Sequence, residues 1–499
     1  MQALEDWIAK ATGITCHSDK VRPGYIFFAI RGRTVDGNSF APAAATQGAM
    51  AIVSDSPDRL PPLPTPVITV PDARLALAKM ATSFYGNPSH RLSLVGITGS
   101  NGKTTIACML EHIFIQAGLH TGLIGTVRVN TGKNSFPSTL TTPDAVSTQY
   151  YLTQMLRNKV THAAMEVSAQ GIDMHRVTNV RFSTGVLTNI CPDHLDFHGN
   201  FASYLEAKAK FLDLLSAETP LIVNVADPYC QTIASRFTGR LITTAVNHPA
   251  DVSANITFLS TYGSAFTLEI NRPIPDINGQ LLPVGQHSIS LALPGRHNIE
   301  NALLAATTAL VHGLAPEAIL RGLASFRGVE RRMSIFHLDG LMIVDDTALN
   351  PGSIDAVFDT IASFRYNRLF VINAIRGQRG TAINAANAAA LANLRHKLPF
   401  ELIITASAGH VDLANTVTGE EKLAFLTTLN TLKTEYTYTS TLPGALKAAI
   451  NHTLPGDLLV LMGAQGMDAG HQVLRDLVKT PESHYHDQAL YPQLVVRQV

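Results

Sequence analysis

A surplus of charge of either sign is missing: in 499 residues, Lys plus Arg and Asp plus Glu each number 38. No global field therefore draws the chain toward nucleic acid or an anionic membrane, and any phosphate affinity must be local. Cysteine is scarce. Cys16, Cys108, Cys191 and Cys230 are scattered without CxxC spacing, which argues against a zinc site or a disulfide frame and leaves free thiols. No run approaches the roughly 18 apolar residues of a membrane span, and the opening MQALEDWIAKATG carries acidic residues without an apolar core of signal-peptide length. A cytoplasmic protein with no membrane or nucleic-acid partner is expected. Internal repeats and low-complexity tracts are also lacking, and no segment is poor enough in apolar residues to read as disordered.

What is present is an ordinary globular composition, 46% hydrophobic and 15% charged, on a chain too long for one core. Residues 1–88 alternate apolar segments (25–30, 50–54) with the turn signals Arg22-Pro23-Gly24 and Asp36-Gly37-Asn38, as expected of a small α/β substrate domain. The breaker-rich Tyr85-Gly86-Asn87-Pro88-Ser89 reads as a linker. A second domain, 89–334, then alternates extended segments (92–98, 161–167, 186–189, 221–224) with helical ones (107–117, 201–215), the order of a mostly parallel sheet covered by helices. The pattern breaks at 326–334. A further series of extended segments (341–344, 369–372, 402–405, 458–462) predicts a Rossmann-like third domain over 335–499. The fold class is α/β in three domains.

The sharpest motif is Gly96-Ile97-Thr98-Gly99-Ser100-Asn101-Gly102-Lys103-Thr104-Thr105, between a strand and a helix that begins near Lys103. Glycines let backbone N–H groups converge on phosphate oxygens, the lysine adds positive charge at the β/γ-phosphates, and the threonine hydroxyl can ligate magnesium. The usual spacing asks for glycine where Ile97 stands. Strand, loop, Lys-Thr pair and helix nonetheless agree on a P-loop that binds ATP or GTP.

Glu166 ends the buried strand Ala163-Ala164-Met165-Glu166, on the carboxyl side where ligand sites of open α/β sheets lie. It is the candidate magnesium ligand; without the P-loop, a glutamate there reads as a solvated strand end. Asp193-His194-Leu195-Asp196-Phe197-His198-Gly199 places two imidazoles and two carboxylates together, suited to a second metal, to a general base, or equally to capping the helix near Phe201. Arg376-Gly377-Gln378-Arg379-Gly380 follows a strand end, where such a turn is more commonly solvated than in contact with substrate. Met462 and Met467 read as packing, and most remaining histidines, His484 and His486 included, as surface residues.

With these residues in hand, the sequence resembles the Mur ligase family, most closely the members that add the third residue of the peptidoglycan stem peptide. The resemblance spans nearly the whole chain. It rests on the loop at 99–105, Thr141-Thr142-Pro143-Asp144, Glu166-Val167-Ser168 with Arg176-Val177, Thr188-Asn189 ahead of the Asp193 motif, and Lys208 in Glu206-Ala207-Lys208. It continues through Gly295-Arg296-His297-Asn298 with Asn301, Arg332-Met333, and Asp345-Asp346 with Pro351.

The resemblance implies an ADP-forming ligase that joins an amino acid to a UDP-N-acetylmuramoyl-dipeptide-like carboxylate through an acyl phosphate. Gly99, Ser100, Asn101, Gly102, Lys103, Thr104 and Thr105 would hold the ATP phosphates. Thr104, Glu166 and His194 would position magnesium, and Lys208, carbamylated, a second one. Asn301 would meet adenine, Arg332 the γ-phosphate and Asp346 the ribose, while Ser18, Thr141, Thr142, Ser168 and Arg176 would face the acyl donor. Partners would be small molecules, and the working form a monomer.

The chain departs from the family in four respects, the last of them spread over two stretches. His17-Ser18-Asp19 keeps only the serine of an Asp-Ser-Arg motif, and Ala169-Gln170 replaces Ser-His. Thr347-Ala348-Leu349-Asn350 follows Asp346 without the family's imidazole. In the third domain, 404–410 and 463–468 lack the Asp-Asn-Pro-Arg and Gly-Lys-Gly-His-Glu of diaminopimelate-adding members, so no arginine there can clamp a distal carboxylate bidentately. Two alternatives therefore stand beside a cell-wall ligase: a relative serving a specialised pathway, and a nucleotide-binding partner without ligase chemistry.

Overall fold

A computed structural model describes residues 2–32, 35–338 and 340–478; His484 and His486 lie outside them. Three large sheets, beside a two-stranded ribbon of Ile274–Pro275 and Leu281–Leu282, bear out the α/β reading. The first has four parallel strands in chain order, Gly13–Thr15, Tyr25–Ala29, Ala51–Ser54 and Val67–Thr69. Its apolar strands are covered on both sides, by one cluster around Leu4, Ile26, Phe28 and Leu77 and another around Phe27, Ala44 and Ile52. The helix Ala73–Phe84 starts where Asp72 accepts from the Leu75 N–H, a side-chain cap that satisfies one orphan donor. It packs on the helix Ala145–Arg157 of the next domain, where buried Gln149 donates to Thr82 Oγ1 at 3.0 Å.

The central sheet has eleven strands. Ser93–Thr98 lies in its middle between Thr184–Leu187 and His162–Glu166, and all three run parallel. The parallel part continues through Leu221–Asn224 and Leu241–Val246 on one side and Thr121–Ile124 on the other. The sequence pattern missed the antiparallel additions: Gly263–Ile270 and Gly285–Leu291 at one edge, Arg128–Asn130 and Ser135–Pro137 at the other. Their faces alternate between buried and exposed or are wet on both sides, so they lack the continuous apolar runs that mark buried parallel strands. The segment read as one helix over 201–215 is the α-helix Phe201–Ala209 followed by a 3-10 stretch, Lys210–Leu214.

The third sheet has six strands, ordered Ser334–Leu338, Leu341–Asp346, Leu458–Met462, Leu369–Ala374, Glu401–Thr405 and Thr437–Thr439. All but the first pair are parallel. Met462 and Met467 are fully buried, as packing residues should be. Not every histidine is superficial, however. His312 is buried against Phe114 and His162, with Nε2 3.0 Å from Thr184 Oγ1, so it belongs to the floor of the central sheet. Segments that leave the carboxyl ends of the central and third sheets meet one another, and that meeting creates the site.

Candidate active site

The loop that leaves Ser93–Thr98 turns on two glycines. Gly99 (φ +142°) and Gly102 (φ +86°) occupy conformations that a side chain resists, and a Cβ at either would collide with Thr188 Oγ1 or Asn301 Oδ1. Gly96, one place before the usual first glycine of the motif, lies inside the strand, where a Cβ would strike the Phe182 ring. It is a packing glycine. The helix Lys103–Gln116 starts directly on Gly102 without a side-chain cap, so its first-turn N–H groups keep their donors for an anion.

Loop shape is fixed from the neighbouring strand. Ser100 N–H donates to Asn189 O at 2.7 Å and Asn101 N–H to Asn189 Oδ1 at 2.9 Å. Thr188 Oγ1 donates to Asn101 O at 2.6 Å. Ser100 Oγ lies 2.9 Å from the buried Tyr204 hydroxyl, which ties the loop to the helix that carries Lys208. Neither Tyr204 nor Asn189 was singled out for this role from sequence, although Thr188-Asn189 carried part of the resemblance.

Two lysines point at this loop from opposite sides. Lys103 Nζ donates to Gly99 O at 2.9 Å and Ser100 O at 2.8 Å. Lys208, 2% exposed, donates to Gly99 O at 2.7 Å and lies over the Tyr204 ring. Burial pushes both ammonium groups down, Lys208 well below the usual lysine range with Lys103 adding to the shift, while Glu166 and Asp193 oppose the fall at Lys103. A buried lysine held toward its neutral form is a nucleophilic amine, which is what carbon dioxide capture as a carbamate requires.

Glu166, 1% exposed at the end of its strand, takes three hydrogen bonds: from Thr104 Oγ1 at 2.9 Å, Thr126 N–H at 2.6 Å and Thr126 Oγ1 at 3.0 Å. A carboxylate and a hydroxyl set side by side form a hard-oxygen pair that fits magnesium. His194 has a left-handed backbone (φ 50°), its ring half-exposed with Nε2 3.9 Å from Asp193 Oδ2. The two imidazoles of that motif part company: His198 turns away, its buried ring 3.4 Å from Asp173 and packed on Tyr204. The helix beginning at Phe201 is capped by Asn200. Among the described residues, no three His, Cys, Asp or Glu side chains cluster as a metal cage.

From the third domain, Asp346 is buried and accepts the Met333 N–H at 2.7 Å. Burial pushes its carboxyl up while Arg332 pulls it down, and the same guanidinium is felt at Lys103. Arg332 thus bears electrostatically on both Asp346 and Lys103. It is delivered by a strained turn whose flanking residues, Arg331 (φ 57°) and Met333 (φ 54°), are both left-handed. Arg331 anchors the turn through Asp345 at 3.1 Å, Asp468 and the carbonyls of Gly463 and Ala464.

The basic turn at 376–380 is solvated at Gln378 and Gly380, but Arg376 is neither solvated nor turned outward. That side chain is buried and reaches Asp193 Oδ1 at 3.0 Å across the domain boundary. Burial alone would raise the Asp193 carboxyl, but Arg376 and His194 hold it below the ordinary carboxylate range. Asn350, standing in the loop that lacks the family's imidazole, donates to Asp193 Oδ2 at 3.0 Å and exchanges two hydrogen bonds with Asn101 of the P-loop. Sequence reasoning could not find this knot, because its members are remote from one another and only the fold joins them.

The acyl-donor set is partly assembled. Thr142 Oγ1 donates to Glu166 O and lies 3.0 Å from Ser168 Oγ, Thr141 Oγ1 receives Thr126 Oγ1 at 3.1 Å, and Arg176 donates to Thr142 O at 2.9 Å. These residues form one chain beside Glu166. Ser18 stands apart, in the 3-10 turn Ser18–Lys20 of the first domain.

A glycine-turned loop between strand and helix, contacted by Lys103 and the buried Lys208 and met by residues of the third domain, has the arrangement of a P-loop α/β enzyme. The chain belongs to the Mur ligase family. Residues 10–85 match the "Mur ligase family, catalytic domain", 97–309 the "Mur ligase middle domain" and 331–465 the "Mur ligase, glutamate ligase domain". It is 33% identical over 374 residues to the UDP-N-acetylmuramoyl-L-alanyl-D-glutamate–2,6-diaminopimelate ligase of Geobacter metallireducens, covering 74% of this chain and 71% of that one. To the Bacillus velezensis enzyme of the same name it is 34% identical over 375 residues, 74% of each. Among solved structures, MurF from Acinetobacter baumannii superposes with a TM-score of 0.69 at 20% identity, covering 96% of this chain and 98% of that one. A pseudomurein peptide ligase from Methanothermus fervidus gives 0.58 at 17%, covering 95% and 97%.

Proposed function

We propose that this chain is an ATP-dependent, ADP-forming amide ligase that adds an amino acid to the free carboxylate of a UDP-N-acetylmuramoyl-dipeptide-like donor. It would work as a cytoplasmic monomer divided into 1–88 for the uridine-linked donor, 89–334 for ATP and 335–499 for the amino acid. The observation that carries the proposal is the convergence on one loop of Lys103, Lys208 and the Thr104–Glu166 pair. The relatives named above favour a cell-wall ligase over the other two readings.

A carboxylate resists attack by an amine until its oxygen becomes a leaving group. The amides of the loop and the first helical turn, with Lys103, would hold the ATP phosphates, and Arg332 would meet the γ-phosphate. Asn301 would contact adenine and Asp346 the ribose. Thr104, Glu166 and His194 would hold one magnesium and carbamylated Lys208 a second, ions that supply positive charge between phosphate and carboxylate, two anions that otherwise repel. Thr141, Thr142, Ser168 and Arg176, with Ser18 in the first domain, would align the donor so that its carboxylate oxygen takes the γ-phosphoryl group. The incoming amine then adds to the acyl phosphate, and phosphate leaves as the amide forms.

The test is phosphate release from ATP with UDP-N-acetylmuramoyl-dipeptide across a panel of amino acids. One amino acid should stimulate release and yield a product heavier by its residue mass. ATP binding with no stimulated turnover by any of them would sink the donor assignment.

A further inference from the structure

We infer that Arg376 and Asn350 form a latch on Asp193 and Asn101 that holds the third domain docked on the P-loop, making Arg376 a positioning residue for the nucleotide site. Every bond in this latch comes from the chain itself. Arg376 Nη1 binds Asp193 Oδ1 at 3.0 Å and Leu349 O at 2.7 Å, and Asn350 binds Asp193 Oδ2 at 3.0 Å and Asn101 at 3.1 and 3.2 Å. Asp193 also accepts the His194 N–H at 2.8 Å, so the latch fixes the backbone of the neighbouring imidazole.

The loop carrying Arg376 is itself immobilised. Asn384 pairs with the Arg376 backbone at both N–H and C=O. The Glu421 carboxylate takes the consecutive N–H groups of Gln378, Arg379 and Gly380. Asn350 caps the helix Pro351–Ile361 through a reciprocal bond with Ser353, so the second arm is equally rigid. A guanidinium projected from a fixed loop can set where the opposite domain sits.

The pair is 6% and 3% exposed, so both charges are out of water only while the domains are together. Removing Arg376 leaves Asp193 as an uncompensated buried carboxylate in the docked arrangement, and separation, which rehydrates it, becomes the favoured outcome. Neutralising Asp193 as well removes that penalty. The docked state is the one in which Arg332 and Asp346 approach the P-loop, so its population governs apparent nucleotide affinity.

The experiment compares the full-length wild type, R376M and D193N/R376M by small-angle X-ray scattering without nucleotide and by ATP titration. A compact chain of this length has a radius of gyration of roughly 23 Å, and R376M should raise it by about 2 Å. It should also weaken ATP binding about tenfold, and the double variant should recover both. N350A, which breaks the P-loop contacts without stranding a charge, should shift both readings the same way by less, and it serves if R376M does not fold. Unchanged scattering in R376M or N350A overturns the latch. A double variant as open as the single one overturns it too, and one that is compact yet weak for ATP makes Arg376 a direct ligand instead. Only the titration rests on the ATP reading: a chain that opens on R376M but never bound ATP would sink that reading and leave the latch standing.

Discussion

The P-loop side of the cleft and the third-domain side are built on opposite plans. On the P-loop side, chemistry is concentrated in short local strings: one loop and helix start supply both phosphate amides and Lys103, and two strand ends supply Glu166 and the Thr188–Asn189 brace. On the third-domain side, residues far apart in sequence make the contacts that matter, such as Arg331 with Asp345 and Gly463, or Arg376 with Asp193. Local strings survive divergence as recognisable motifs, whereas remote pairings change residue by residue and vanish from view.

The deepest break in this comparison comes from the P-loop side. Lys103→Ala should lower ATP-dependent phosphate release by about 10³-fold, because a preorganised charge facing the phosphates is lost. Glu166→Gln keeps the hydrogen-bonding shape but removes the charge, and should cost about 10²-fold at saturating ATP, with a raised magnesium requirement in a metal titration. A third-domain change of the same kind acts on stability instead. Glu421→Ala strips four backbone donors of their acceptor and should lower unfolding free energy by about 2 kcal/mol in urea titrations.

A subtler test uses pH. His297 Nδ1 lies 3.3 Å from Thr360 Oγ1 of the third domain, and burial pushes its pKa down to about 4. The neutral ring is the form the docked domains accept, so stability is complete above the ordinary histidine range and declines as pH falls from about 6.5 toward about 4. Melting temperatures measured across that window should fall, and His297→Asn should flatten the slope. The smallest effect belongs to Arg379→Ala. Its loop is held by backbone N–H groups, so the change should stay within about 0.5 kcal/mol, and a large loss of activity would instead place the Arg379 guanidinium on substrate.

Much of this division was legible beforehand. Parallel strands buried on both faces announce themselves as apolar runs, and the loop at 99–105 follows one of them directly, so the mostly parallel character of the sheet and the place of that loop came from pattern alone. The antiparallel strands at the edges did not, since two of them alternate between buried and wetter faces and the other two are three residues long, so none forms a continuous apolar run. Arg376 was misread because a charged turn after a strand is normally solvated, and nothing within ten residues of it advertises Asp193. The buried place of His312 was invisible for the same reason: its partner Thr184 is supplied by the fold.

The Glu421 clamp separates where a loop is from what it says. A segment pinned through its main chain by a residue on another helix can exchange side chains without losing its path, because none of the pinning bonds depends on their identity. Such a loop behaves like a socket with replaceable contacts. Point substitution can change what such a loop presents, with neither the P-loop nor the frame around it having to move.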